Sequence, residues 1–184
     1  MYGQAEVSGL SVVGSSFVGV FVGSGEVRLV DLSVEGNGFA GIGAYRRSAM
    51  VPTNLEAEGC ELVGNRAMGV LAYDSNTAVS LVDTTIRDTL PDATGVFGCG
   101  IAVLSGATLS AQRCELADNT VGGVLASEPG TEVALVDTTI RDTLPDGNGN
   151  GGYGIEVQGE AQLSAEGCEL AGNTLVGVAA ITSG

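Results

Sequence analysis

The sequence predicts an all-β solenoid, a single-stranded parallel β-helix of about seven coils with three short strands per coil and no substantial helix. Three observations carry this: verbatim internal repetition, period-two hydrophobicity in short runs, and a column of small hydrogen-bonding residues at one place in every coil.

The repetition comes first, because a fixed period decides the architecture before any single element is read. The eleven residues Val82 to Asp92 recur unchanged as Val136 to Asp146, an offset of 54. Cys60, Cys114 and Cys168 share that offset, each opening a Cys-Glu-Leu triplet with an asparagine shortly after. The unit splits into halves that superpose position for position: Cys168 on Thr138, Leu170 on Ile140, Asn173 on Thr143, Val178 on Ile155. The basic period is therefore about 22 residues, and every second coil carries an insertion. The diverged N-terminal part fits the same frame, through Leu10–Ser15 with Gly19-Val20 and Leu32–Asn37 with Gly41-Ile42.

Within a coil the apolar residues alternate in short runs: Val133/Leu135, then Thr138/Ile140, then Tyr153/Ile155/Val157. Alternation over three to five residues means strands with one face buried, and no stretch sustains a 3.6-residue period. Hairpin signals do not separate adjacent runs, so the strands pair with the coils above and below. The third observation supports that stacking. Three residues after the second-strand hydrophobe come Ser15, Asn37, Asn65, Thr89, Asn119, Thr143 and Asn173. Spaced by about 4.8 Å, such side chains can satisfy one another and the turn backbone.

Composition agrees. A 44% hydrophobic content argues against disorder, and the apolar residues are mainly Val, Ile, Leu and Ala, which suit thin strands. The net charge of −15 and the absence of any basic patch argue against nucleic acid and anionic membranes as partners. No run of about 18 apolar residues predicts membrane insertion. Met1-Tyr2-Gly3-Gln4 opens no signal peptide, and repeats begin within the first ten residues. Residues 1–184 therefore read as a single domain, a piece of a longer repeat protein.

The motif Cys-Glu-Leu-x-x-Asn-x-x-x-Gly-Val-x-Ala, at Cys114 to Ala126 and Cys168 to Ala180, resembles the coil of the right-handed parallel β-helix repeat family, the pectin-lyase-like group. The Asn/Thr column is similar to that group's asparagine ladder. The resemblance spans nearly the whole chain and implies right-handedness. It also implies an extracellular or cell-surface setting in a large bacterial protein. Enzymes of that group cleave acidic polysaccharides, but none of their catalytic residues maps onto this chain.

Three sets of residues invite a chemical reading. Two residues after the second-strand hydrophobe, Asp88, Asp118 and Asp142 occupy successive coils, flanked by Gly14, Gly36, Gly64 and Gly172. Carboxylates about 5 Å apart could bind a cation or serve as the acid and base of a glycoside hydrolase. The plainer expectation is a turn position that tolerates left-handed backbone. Asp146, Asn148 and Asn150, followed by Gly151, match the first half of a calcium loop, but position twelve is Val157 where a bidentate Glu belongs. A flexible loop is the plainer expectation there too. Finally, Cys60, Cys114 and Cys168 fall two coils apart, about 10 Å, too far for a disulfide. Cys99 lies in another column, so four free, buried thiols are expected.

The expectation for function is a non-catalytic module, a rod of about 34 Å by strand spacing, that carries loops. The insertions Leu90–Phe97 and Leu144–Gly152 fall at one corner of alternate coils, and Tyr45–Thr53 with Arg46 and Arg47 falls after a third strand. The alternatives are a carbohydrate-binding or polysaccharide-cleaving module that uses the Asp88, Asp118 and Asp142 column, and a rod that self-assembles end to end; a glycan or a protein is the ligand such loops would take.

Overall fold

The computed structural model describes residues 3–46 and 50–181, so Arg47 and part of the Tyr45–Thr53 insertion lie outside the described residues. Twenty-one short strands follow one another with no helix among the described residues. The first six are β1 (Gln4–Ser8), β2 (Ser11–Val13), β3 (Val18–Val22), β4 (Gly25–Val30), β5 (Ser33–Glu35) and β6 (Ala40–Tyr45). Next come β7 (Thr53–Glu58), β8 (Glu61–Val63), β9 (Met68–Tyr73), β10 (Thr77–Val82), β11 (Thr85–Arg87) and β12 (Cys99–Leu104). Then follow β13 (Thr108–Gln112), β14 (Glu115–Ala117), β15 (Gly122–Ser127), β16 (Glu132–Val136), β17 (Thr139–Arg141) and β18 (Tyr153–Gln158). The last three are β19 (Gln162–Glu166), β20 (Glu169–Ala171) and β21 (Val176–Ile181).

Every third strand belongs to the same sheet. The first sheet runs from β1 to β19, the second from β2 to β20 and the third from β3 to β21, seven strands in each. Pairing is parallel throughout, so each coil lies on the one before it. The chain thus forms a β-solenoid whose inward side chains stack in columns.

Those columns alternate in size. In the first sheet Leu29, Ala57, Leu81, Ala111 and Leu135 follow one another in register, each large residue seated against a small one. The adjacent column reads Val27, Leu55, Val79, Leu109, Val133. The two-coil repeat is therefore a packing device, in which coils bearing Val and Leu sit between coils bearing Leu and Ala. The second sheet supplies Val34, Leu62, Ile86, Leu116 and Ile140, all at 0% exposure. Burial of a side chain of that size is worth about 1.5–3 kcal/mol.

The third sheet departs from the expectation of one buried face. β6, β9, β12 and β15 are buried on both. Inward, Ile42, Val70, Ile101 and Val124 join the main core. Outward, Ala40, Met68, Leu71, Cys99, Ala102 and Leu125 form a second apolar cluster, flanked by Phe39, Tyr45 and Phe97. Met68 and Cys99 are two residues before core positions, yet they belong to this outer cluster. The signal in the sequence was there. These strands read as unbroken apolar runs, such as Met68-Gly-Val-Leu-Ala72, which mark strands covered on both sides.

The asparagine column forms the expected ladder at the corner between the second and third sheets. Asn65 accepts from the backbone N–H of Asn37 at 3.1 Å and donates to the Val34 carbonyl at 2.9 Å. Asn119 does the same for Thr89 N–H and Ile86 C=O, both at 3.1 Å, and Asn173 for Thr143 and Ile140. Each asparagine thus ties down the turn of the coil before it. Thr89 and Thr143 cannot reach back in this way, and their buried hydroxyls have no partner. A third-strand glycine makes room for the ladder: a Cβ on Gly41 would sit 2.8 Å from both Asn65 Nδ2 and the Gly69 carbonyl.

Candidate functional site

The aspartate column follows β11, β14 and β17, and its backbone geometry explains its composition. Asp88, Asp118 and Asp142 have φ of 56°, 54° and 56°. The glycines in the same column, Gly14, Gly36, Gly64 and Gly172, have φ of 69°, 62°, 61° and 64°. Every coil turns here through left-handed backbone, a region glycine enters freely and aspartate tolerates. A second such column, unseen in the sequence, precedes the second sheet. It holds Gly9, Asp31, Gly59, Asp83, Arg113, Asp137 and Gly167, all at positive φ.

The carboxylates of the first column are turned to neighbouring arginines. Arg87 Nη1 lies 2.8 Å from Asp88, and Arg141 Nη1 lies 2.9 Å from Asp142 and 3.9 Å from Asp118. The same guanidiniums reach Glu61 at 2.9 Å and Glu115 at 2.7 Å on the preceding coils. This Glu–Arg ladder runs along the outer face of the second sheet. Its members are roughly half exposed, so each pair contributes at most about 1 kcal/mol. The guanidiniums thus place positive charge beside these carboxylates.

The loop Asp146–Gly151 is closed by its own aspartate. Asp146 Oδ1 accepts from Asn148 N–H at 2.8 Å and Asn150 N–H at 2.7 Å, and Oδ2 accepts from Asn150 Nδ2 at 3.2 Å. These bonds, that from the Asn150 backbone foremost, hold its carboxyl below the usual aspartate range. Asp92 plays the same part in the sister loop, accepting from Thr94 and Val96 N–H at 3.1 and 3.0 Å, although the calcium-like pattern is missing there. The shared feature is thus an aspartate-centred turn. The two loops meet at one corner, where a Cβ on Gly95 would lie 3.3 Å from Asp146 Oδ2. Among the described residues, no three His, Cys, Asp or Glu side chains converge as metal ligands.

The cysteines are free. Cys60, Cys99 and Cys114 are buried, whereas Cys168 is only partly so, contrary to the expectation of four buried thiols. Cys168 belongs to the last described coil, so among the described residues no coil lies over it. Burial pushes the Cys60 and Cys114 thiols up and Cys99 to about 12.

Two features escaped the sequence reading. Glu156 sits in register between Leu125 and Ala179 on the apolar outer face of the third sheet, and desolvation raises its carboxyl. It is the only charged residue in a column otherwise made of Phe, Gly, Leu and Ala. The other is a groove of about 1070 Å³ along the outside of the first sheet. Its central floor is small and hydroxyl-bearing, with Ser80, Thr108 and Ser110, while Glu6, Glu56 and Glu132 line it further along. The Asp88, Asp118 and Asp142 column lies on a different wall and does not line it.

The "Right handed beta helix region" family model matches residues 3–184. The chain belongs to the right-handed beta helix family. This settles the hand of the coil. Among solved structures, this beta helix is similar to the A-module of the mannuronan C-5 epimerase AlgE4 of Azotobacter vinelandii, with a TM-score of 0.47 and 16% identity. The match covers 96% of this chain and 54% of that one, so the chain spans about half the length of that module structure. No curated protein matches.

Proposed function

We propose that this beta helix is a non-catalytic scaffold of an extracellular bacterial protein, a stiff rod that presents loops at one corner. The observation that carries the reading is how the acidic candidates are used. Asp88, Asp118 and Asp142 occupy a turn column that glycine fills elsewhere, and arginines face their carboxylates. Asp92 and Asp146 fold their own loops. Loops on a rigid frame are where recognition is normally placed. The Leu90–Phe97 and Leu144–Gly152 loops also approach each other across alternate coils, at Gly95 and Asp146.

A second reading rests on the groove along the first sheet. Its length, its hydroxyl-bearing floor and its carboxylates suit an extended hydrated chain such as a glycan. A glycan array run with and without calcium, with an activity screen on polyuronates, separates the two readings. The scaffold reading predicts no cleavage. Cleavage that disappears in Asp118→Asn would overturn it, and saturable glycan binding lost in Ser110→Arg would establish the groove reading.

A further inference from the structure

Three asparagines in this chain precede glycine: Asn37, Asn148 and Asn150. Asparagine is a labile residue, and the pair is its weak point. A glycine nitrogen has no side chain beside it and can attack the asparagine side-chain carbonyl carbon. Whether it does so depends on what else holds that nitrogen, and the fold holds the three differently. Gly38 N–H donates to the Ser15 carbonyl at 2.8 Å. Asn37 itself is a rung of the ladder, 1% exposed, with its Nδ2 on Asn65 Oδ1 at 2.8 Å. Gly149 N–H donates to the Asp146 carbonyl at 3.0 Å. Gly151 N–H has no hydrogen-bond partner among the described residues, and Asn150 is exposed.

The glycine that makes Asn150 labile is one the fold demands. Gly151 has φ of 82°, and a Cβ there would sit 2.5 Å from the Val121 Cα. Asp146 also precedes a glycine, but its ionised carboxylate, bonded by the N–H groups of Asn148 and Asn150, is a poor electrophile. The sister loop Asp92–Phe97 contains no asparagine.

We propose that Asn150 is a site of spontaneous deamidation, and that its conversion opens the Asp146 loop. The Gly151 nitrogen gives its proton to base in the solvent and bonds to Asn150 Cγ. The Cγ–Nδ2 bond breaks, and the nitrogen takes up a proton and leaves as ammonia. Water then opens the succinimide at either carbonyl, leaving aspartate or isoaspartate at position 150. Water is consumed and ammonia released, with no oxidant or reductant. The product replaces the Nδ2 donor, 3.2 Å from Asp146 Oδ2, by a second carboxylate. Like charges at that spacing repel, so the bond that closes the loop is lost. The corner where Asp146 approaches Gly95 thus has two chemical states, and only one of its two loops changes with age.

The test incubates the full chain at pH 8 and follows each asparagine by peptide mass spectrometry. Asn150 should convert first. Asn148 should be about two- to tenfold slower, the worth of the one hydrogen bond that Gly149 must give up. Asn37 should not convert while the protein stays folded. In a synthetic peptide of residues 143–153 the two loop asparagines should convert at the same rate, because no fold ties either nitrogen. Asn150→Gln, whose longer side chain closes a ring far more slowly, should remove the first conversion and leave that at Asn148. In the converted protein the amide hydrogens of Asn148 and Asn150 should exchange faster, and Asn150→Asp should reproduce this. Conversion at Asn148 as fast as at Asn150, or the same order in the peptide as in the folded chain, would overturn the assignment. Unchanged exchange in the converted loop would overturn its opening.

Discussion

Replacing Asn119 by alanine removes two hydrogen bonds that serve the coil before it. Its Oδ1 accepts from Thr89 N–H and its Nδ2 donates to the Ile86 carbonyl, and the side chain is 1% exposed. The residues that carry the two backbone groups left behind, Ile86 and Thr89, are themselves buried. Each unsatisfied buried group costs about 1–3 kcal/mol, so the loss should be about 2–6 kcal/mol. Asn173 is the internal control. It makes the same pair of bonds to Thr143 and Ile140, but it is only half-buried and water can replace it. Asn173→Ala should therefore cost about 0.5–1.5 kcal/mol. Urea unfolding followed by far-ultraviolet circular dichroism at pH 7 measures both. Equal effects at the two sites, or a cost at Asn119 below about 0.5 kcal/mol, would refute the claim that the ladder works by satisfying buried backbone. Asn119→Thr should behave nearly as badly as alanine, because Thr89 and Thr143 leave their own hydroxyls unpartnered in this column.

Other predictions rest on single groups. Thiol titration of the native protein with a disulfide reagent at pH 8 should find Cys168 fast and the other three slow. With Cys99 at about 12 against an ordinary 9.0, its thiolate population is about a thousandfold lower; four fast thiols would contradict the burial. Glu156→Leu should stabilise the fold at pH 7 and do little at pH 4. The folded carboxyl is raised, so its burial penalty is absent while it is protonated and develops as pH climbs past the ordinary carboxylate value. A variant less stable than the parent at pH 7 would show that Glu156 has a partner. Asp83 is held low by Arg113, whose two nitrogens lie 2.7 and 2.9 Å from its oxygens. Its contribution is present above the unfolded aspartate pKa and is lost as pH falls through the folded one. Arg113→Ala should thus flatten the acid limb of the stability profile, and an unchanged limb would count against the pair.

The architecture was legible because repetition compounds a weak local signal. One coil with Ile140 three residues before Thr143 says little, but the same spacing in every coil fixes the register of a sheet. The fate of the candidates was less legible. Asp88, Asp118 and Asp142 formed a column in the sequence, but the left-handed backbone they share with the glycines of that column is seen only in the structure. The half-exposure of Cys168 could not be read from a residue identical in context to Cys114, because it depends on what lies above the coil. The double-sided burial of the third sheet is written in runs such as Cys99-Gly-Ile-Ala-Val103, whereas the first sheet alternates, as at Val133/Leu135, and is buried on one face. Glu156 mattered only once Leu125 and Ala179 were known to flank it.

The claim that the aspartate column is a turn device is tested most directly by comparing two triple variants at positions 88, 118 and 142 in urea unfolding. With all three changed to glycine, the protein should fold and stay close to the parent in stability. With all three changed to alanine it should lose about 1–2 kcal/mol per position, the cost of left-handed backbone for a side chain with no local hydrogen bond. Equal losses in the two variants, or a glycine variant that fails to fold, would contradict the account.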